Sequence, residues 1–156
     1  KMKNVLMSIW RLSMINYLNT NFKAKKKNVS LARNISQVFF SQIETSLAFF
    51  NEINTIISDA VTNAIIHGYN FDEAMEVSLN LAYDDSFLYM TVIDHGLGIA
   101  DIELAKTPMF TTKPEDDRSG LGFTIIDVFS DEMIVESELG KGTTVKIIKK
   151  RNETTN

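Results

Sequence analysis

Three polar side chains recur at every fourth position in residues 57–70, a largely apolar segment: Asp59, Asn63 and His67. Side chains at this spacing stack on one face of an α-helix. A carboxylate and an amide oxygen one turn apart suit a magnesium ion that also holds phosphates, and the carboxylate could orient or deprotonate an attacking hydroxyl. The spacing alone favours the alternative, in which the row is the polar flank of an amphipathic helix.

A further acidic residue is followed by two glycines in IDHGLGI, at the end of a predicted strand. Asp94 falls on the same strand face as apolar residues, so we expect it to be buried and to have a dedicated hydrogen-bond partner. Gly96 and Gly98 allow the backbone to turn sharply and to approach a ligand. The motif fits equally well a pocket whose carboxylate accepts an exocyclic amine, such as that of adenine, and a turn capped by the aspartate.

Residues 96–122 contain groups suited to phosphate oxygens, together with four of the seven glycines and both prolines. Ser119, Gly120 and Gly122 are predicted to open a short helix, whose free N–H groups and dipole would favour an anion. Hydroxyls and cations in the same segment could add charge-assisted hydrogen bonds. These candidates are Thr111, Thr112, Lys113 and Arg118.

Periodicity predicts the helices that position these groups. A stripe through residues 29–43 indicates a first helix; its apolar members are Leu31, Ile35, Val38, Phe39 and Ile43. A second stripe, through residues 53–65, indicates a helix packed on the core. A third, short helix is predicted from Gly120 to about Phe129.

Alternation of apolar and polar residues predicts the strands. Residues 75–83 and 87–94 form a pair joined by a tight turn, and residues 133–148 form a hairpin turned at 140–142. Weaker alternation in residues 13–24 indicates an edge strand. The order of these elements predicts an α+β fold in which a layer of helices lies on a mainly antiparallel sheet.

Composition and charge restrict the classes of function. The 156 residues include no cysteine, 44% are hydrophobic and 23% are charged, as in one globular domain of a reducing compartment. Residues 1–33 carry eight basic side chains and no acid, and the remainder carries eight basic and twenty acidic side chains. An acidic body argues against direct nucleic-acid binding, whereas the basic stretch could steer an acidic partner or simply be solvated. No stretch approaches the roughly 18 apolar residues that span a bilayer, so we expect a cytoplasmic protein without membrane contact.

Four motifs occur in a fixed order along the chain: Asn63 with its upstream acid, D94-x-G-x-G, S119-G-x-G and G142-T-T. Together they resemble the nucleotide-binding boxes of the GHKL ATPases, a superfamily that includes gyrase, Hsp90, MutL and the histidine kinases. Within it, the strings AVTNAIIHGY and MFTTKPEDDRSGLGFTI resemble the anti-sigma-F factors of spore-forming Firmicutes. The likeness extends over about residues 14–150.

The resemblance implies a Bergerat fold in residues 14–150, a two-layer sandwich with helices on one face of a mainly antiparallel mixed sheet. Residues 1–13 would then be an extension of unknown role, and residues 151–156 are expected to be a disordered tail. The resemblance further implies a homodimer that binds ATP or ADP and a sigma-F-type sigma factor. With ATP and magnesium it would phosphorylate a serine of an anti-anti-sigma protein.

The same resemblance implies roles for single residues. Asn63 would hold magnesium, and Asp94 would accept the adenine amine in a pocket shaped by Gly96 and Gly98. Residues 111–122 would form a lid over the phosphates.

Further roles concern the chemistry and the partners. Asp59 would receive or orient the proton of the attacking hydroxyl, and His67 is expected at the pocket wall as a structural group. Thr144, which follows a glycine turn in GKGTT, would hydrogen-bond near the base. Arg33 matches an arginine with which the family contacts its protein partners.

The chain departs from the family pattern at two positions. Asp59 stands where the family usually has Glu, and displacing a catalytic carboxylate by about 1 Å can reduce the rate on the order of 10²-fold. Val29 stands where the family tends to have an acid, one helical turn before Arg33, which affects one contact with a sigma factor or antagonist. Two alternatives therefore stay open: an ATP-dependent sigma-binding module without efficient kinase activity, and a stress-response switch kinase of the same superfamily.

Overall fold

The computed structural model describes residues 16–108 and 122–152. Its strands are β1 (Asn16–Lys23), β2 (Glu76–Tyr83), β3 (Phe87–Asp94), β4 (Glu132–Glu138) and β5 (Gly142–Lys150). They form one five-stranded sheet in the order β1-β2-β3-β5-β4. Neighbouring strands are antiparallel throughout the described ranges, and the predicted edge strand is β1.

Helices precede and follow the central strands in the predicted order. They are α1 (Asn28–Phe40), α2 (Leu47–Asn63), the short α3 (Ile102–Ala105) and α4 (Gly122–Phe129). A π-helical turn, Ala64–Gly68, continues α2. At the start of α2, the Ser46 hydroxyl accepts a hydrogen bond from the Phe49 N–H at 3.2 Å, which satisfies one of the helix's free donors.

The core lies between α2 and one face of the sheet. The predicted stripe of α2 is buried, with Ile53, Ile56, Ile57, Ala60 and Val61 each at most 1% exposed. Opposite it, alternating residues of β2 and β3 are buried as predicted: Val77, Leu79, Leu81, Leu88, Met90 and Val92. Val145 and Ile147 of β5, which pair with Val92 and Met90, are buried on the same face. Because the stripe faces the sheet, the polar flank of α2 lies half-buried at the edge of the core.

The buried face of α1 differs from the predicted one. Leu31 is 43% and Val38 is 71% exposed, whereas Ala32 and Ser36 are completely buried together with the aromatic residues near the end of the helix. Small side chains allow α1 to approach its neighbours closely, and the Ser36 hydroxyl satisfies itself by donating to the Ala32 carbonyl at 2.9 Å. The predicted helix is confirmed, but Leu31 and Val38, two members of its apolar stripe, do not lie in the core.

The β4–β5 hairpin turns one residue earlier than predicted. Strand β5 already begins at Gly142, so residues 139–141 form the turn. The Lys141 N–H donates to the Glu138 carbonyl at 3.0 Å across it.

Candidate functional site

Asp94 is a buried carboxylate at the end of β3. Alternation along the strand points it to the core side, where it is 5% exposed. Its Oδ1 accepts a hydrogen bond from the Gly96 N–H at 3.0 Å. Burial raises the pKa of Asp94, and hydrogen bonds from the backbone of Gly96 and Thr143, together with the nearby His95, oppose that rise. The predicted burial and hydrogen-bond partner are both confirmed.

Three glycines pack around Asp94 so closely that none of them could carry a Cβ. A Cβ on Gly68 would lie 2.6 Å from the Asp94 Cγ, a separation that packed atoms do not adopt. A Cβ on Gly96 would overlap the Gly68 carbonyl, and one on Gly142, where φ is +108°, would overlap the Asp94 carbonyl. Gly68 was not among the predicted site residues. The sequence feature that could have identified it is its position directly after His67, the last member of the polar row.

Gly98 secures the other side of the same loop. Its φ of +74° favours glycine, and a Cβ there would overlap the Glu138 carbonyl. The Ile99 N–H donates to the Ser137 hydroxyl at 2.8 Å. The loop after β3 is thus packed against the end of β4.

Tyr69 fixes the peptide that follows Asp94. Its hydroxyl donates to the Glu76 carbonyl at 2.6 Å and accepts from the His95 N–H at 2.7 Å. The Gly68 carbonyl accepts from the Leu97 N–H at 2.9 Å. Burial raises the pKa of Tyr69, so the hydroxyl stays protonated and can donate. Tyr69 was also absent from the predicted set.

The register of β5 brings Thr143, and not Thr144, beside the carboxylate. Thr143 pairs with Asp94, whereas Thr144 pairs with Ile93, and side chains directly opposite each other share a sheet face. The Thr143 hydroxyl lies 2.8 Å from that of Ser137. Thr144 therefore points to the opposite face, and Thr143 is the better candidate for a contact near the base.

Asp59 and Asn63 occupy neighbouring turns at the end of α2, half-buried on one face. The α-helix ends at Asn63, and His67 lies in the π-helical turn. There the Tyr69 N–H donates to the Ala64 carbonyl at 3.0 Å, a five-residue spacing that widens the turn. The predicted row of Asp59, Asn63 and His67 is therefore α-helical only as far as Asn63. The π-helical turn that follows includes Gly68, which packs against Asp94.

The predicted lid lies almost entirely outside the described residues. This applies to Thr111, Thr112, Lys113, Arg118, Ser119 and Gly120. Gly122 is the first residue of α4, and α4 inserts the fully buried Ile126 into the core. The phosphate-binding roles of these residues stay predictions.

Arg33 connects α1 to α2 next to Asp59. Its Nη1 donates to the Ser58 hydroxyl at 3.1 Å and its Nη2 to the Ser30 hydroxyl at 2.9 Å. Arg33 as a whole is half-buried. A protein that contacted Arg33 would therefore lie close to the polar flank of α2.

Residues 16–108 and 122–152 contain no group of three or more His, Cys, Asp or Glu side chains that could hold a metal ion. Over the same ranges, no helix has the length and apolar character needed to cross a membrane.

The chain thus has a glycine-packed carboxylate at a strand end, and an Asp and an Asn one turn apart on α2. Its residues 22–149 match the model of the histidine kinase-like ATPase domain. Anti-sigma F factors of Geobacillus kaustophilus (strain HTA426) and Bacillus subtilis (strain 168) are 49% and 43% identical to this chain over 136 residues. Each alignment covers 87% of this chain and 93% of the relative. The chain belongs to the anti-sigma F factor family of histidine kinase-like ATPases.

Solved structures share the fold at low sequence identity. The RsbU and RsbW domains of a Mycobacterium tuberculosis protein align with a TM-score of 0.61 at 19% identity, over 87% of this chain and 32% of that chain. A chain of the SiaB–SiaC complex of Pseudomonas aeruginosa aligns with a TM-score of 0.64 at 11% identity, over 94% and 96% of the two chains. With the family match, these similarities confirm the predicted two-layer α+β fold.

Proposed function

We propose that this protein is a cytoplasmic anti-sigma factor that binds a sigma-F-type sigma factor and uses Mg-ATP to phosphorylate a serine of an anti-anti-sigma protein. Relatives that are 41–49% identical to it carry the name anti-sigma F factor. The observation that carries the nucleotide part of the proposal is the Asp94 carboxylate, buried among glycines at a strand end. The proposal includes two features that the family resemblance implies: the protein acts as a homodimer, and Arg33 contacts its protein partners.

An adenine base fits the chemistry around Asp94. A carboxylate can accept about four hydrogen bonds, and the backbone of Gly96 and Thr143 supplies two. Burial makes the remaining lone pairs costly to leave empty, so an exocyclic amine is a favourable ligand. The hydroxyl of Thr143 provides a second polar contact at the same place.

A magnesium ion carried by the nucleotide fits the end of α2. Mg²⁺ keeps several waters and takes most other ligands from phosphates, so one or two protein oxygens suffice. Asn63 would hold the ion, with Asp59 one turn away on the same face. The ion would neutralise charge on the phosphates.

The reaction is an in-line displacement. The partner's serine oxygen forms a bond to the γ-phosphorus while the bond from that phosphorus to the β–γ bridging oxygen breaks, and ADP leaves. Asp59 receives or orients the hydroxyl proton. Lys113, Arg118 and the N–H groups at Ser119 and Gly120 stabilise the phosphate charge.

A second candidate function is a sigma-binding module that retains ATP but transfers phosphate inefficiently. It is favoured by Asp59, which is one methylene shorter than the Glu expected at this position. A carboxylate that does not reach the hydroxyl would leave binding intact while slowing transfer.

Transfer of labelled phosphate from ATP to the cognate anti-anti-sigma protein tests both functions. The wild type should label the partner serine, and Asp59→Asn should abolish the label while ADP still binds. Asp59→Glu should increase the rate by up to about 10²-fold. Undiminished label with Asp59→Asn would remove Asp59 from the mechanism, and label with Asp59→Glu alone would identify the wild type as a binding module.

A further inference from the structure

A run of three lysines lies at the sheet edge that carries the candidate nucleotide site. Strand β1 ends at Lys23 opposite Glu76, where β2 begins, and β3 meets β5 at the same edge through Asp94 and Thr143. The loop from β1 to α1 holds residues 25–27, all lysine. We call these residues the lysine cluster.

The lysine cluster lines a surface cavity of about 470 Å³, whose other walls are Ala24, Phe71 and Glu73. The Lys26 ammonium lies 4.6 Å from the centroid of the Phe71 ring, within the range of a cation–π contact. Lys25 is half-buried, and Lys26 and Lys27 are exposed. The cavity therefore has an aromatic wall and a cationic rim.

The described carboxylates do not neutralise the three ammonium groups of the lysine cluster through ion pairs. Each of five other lysines lies within 4.0 Å of a carboxylate: Lys23, Lys106, Lys141, Lys146 and Lys149. The lysine cluster forms no such ion pair with any described residue, although Glu73 belongs to the same cavity. An acidic segment of a bound protein could supply the opposite charge.

The aromatic wall of the cavity is held in an unusual backbone conformation. Asn70 and Phe71 have φ values of 50° and 62°, in the left-handed region that bulky residues rarely adopt. The Phe71 N–H donates to the Ile65 carbonyl at 3.0 Å, which holds this turn against the helix. Phe71 follows, by three residues, Gly68, the glycine that packs against the Asp94 carboxylate.

We propose that the lysine cluster docks an acidic segment of the anti-anti-sigma protein. This inference rests on the proposed kinase function: the accepting serine must reach the phosphates of a nucleotide whose base lies at this sheet edge, so its protein must dock near the same edge. An acidic polypeptide fits better than a nucleic acid, because residues 34–156 carry twenty acidic and eight basic side chains and would repel a long polyanion.

Binding of the cognate anti-anti-sigma protein to the ADP-loaded protein tests the proposal, measured by biolayer interferometry at low and high salt. The test variant is Lys25→Gln/Lys26→Gln/Lys27→Gln. The control, Lys106→Gln/Lys141→Gln/Lys146→Gln, changes the net charge equally at lysines that have ion-pair partners. We expect the test variant to weaken binding at low salt on the order of 10-fold and to flatten its salt dependence. The control should bind like the wild type, and both variants should keep wild-type ADP affinity.

Other outcomes would overturn the docking surface. Equal weakening by both variants would show an effect of net charge alone, and unaltered binding by the test variant would show that the lysine cluster makes no contact. Loss of affinity for a single-stranded oligonucleotide, with partner binding retained, would assign the cluster to nucleic acid. A wild type that does not bind the anti-anti-sigma protein would overturn the proposed function as well, so the two failures are distinguishable.

Discussion

The two halves of the candidate nucleotide site consist of different kinds of group: main-chain atoms in one half and side chains in the other. Around the proposed base, the walls are main chain: Asp94 is 5% exposed, and Gly68 and Gly96 leave no space for a side chain. Around the proposed phosphates, the described groups are Asp59 and Asn63, two half-buried side chains on one helix. The first half is held by packing on every side, and the second half projects from a single element.

This difference predicts different responses to substitution. A pocket wall made of packed backbone cannot absorb an added atom, since protein interiors are close-packed. Changes there should reduce nucleotide affinity and, where they add volume, stability as well. The half-exposed carboxylate of Asp59 can differ from that of Glu without disturbing the core. Substitutions of Asp59 should therefore alter only the rate of phosphate transfer.

Gly68→Ala is expected to have the largest effect, because its Cβ would lie 2.6 Å from the Asp94 Cγ. Overpacking of this kind lowers the free energy of unfolding by about 1–3 kcal/mol. Displacing the carboxylate should also weaken ADP binding on the order of 10²-fold. Urea denaturation and titration calorimetry with ADP measure the two effects.

Gly140→Ala is the matched control for that experiment. Gly140 has a φ of +77°, but a Cβ there would meet no atom within 4 Å. The substitution should cost only left-handed strain, about 1–2 kcal/mol, with unchanged ADP affinity. Similar losses of ADP affinity in both variants would contradict the assigned role of Gly68.

Asp94→Asn should separate binding from stability. Burial raises the pKa of Asp94, so the fold disfavours its charge, and an amide of the same size should leave stability unchanged or higher. The same amide removes an acceptor that the adenine amine needs, and ADP affinity should fall about 10²-fold. Unchanged ADP affinity would show that the carboxylate does not contact the base.

Because the pKa of Asp94 is raised, ADP affinity and the stability of the fold should both depend on pH, with opposite signs. ADP affinity should fall as pH decreases through that pKa, because a protonated carboxyl is a poorer acceptor. Without nucleotide, the native state binds this proton more tightly than the unfolded state. The resulting stability is complete below the unfolded pKa and is lost as pH rises through the folded one. Titrations of the wild type and Asp94→Asn across pH check both, and persistence of either dependence in the variant would exclude Asp94 as its source.

Local sequence patterns were sufficient to predict the helices, the strands and the burial of Asp94. The alternation that buries Leu88, Met90 and Val92 also buries Asp94, so its environment could be read from β3 alone. Helical spacing was insufficient for α1, because the small residues that face the core there left Leu31 outside.

Residues whose positions depend on contacts between distant segments could not be found in this way. Gly68 and Tyr69 meet the loop after Asp94 across 26 residues or more, and no periodicity encodes that contact. The choice between Thr143 and Thr144 depends on strand register, and a shift of one residue moves a side chain to the other face.

Tyr69→Phe should have the smallest effect on ADP affinity of the pocket substitutions, because it removes one supporting oxygen without adding volume. The Glu76 carbonyl loses its donor and the His95 N–H its acceptor, which should lower the free energy of unfolding by about 1–3 kcal/mol. Since His95 follows Asp94 directly, ADP affinity should also fall a few-fold.

Tyr83→Phe is the control for this experiment. The hydroxyl of this buried tyrosine donates to Gln42 at 3.1 Å, at the opposite end of β2. Removing that hydroxyl should lower stability while leaving ADP affinity unchanged. Equal changes in ADP affinity for both variants would mean that the base pocket responds to general loosening of the fold, and that the Tyr69 hydroxyl has no specific part in positioning the carboxylate.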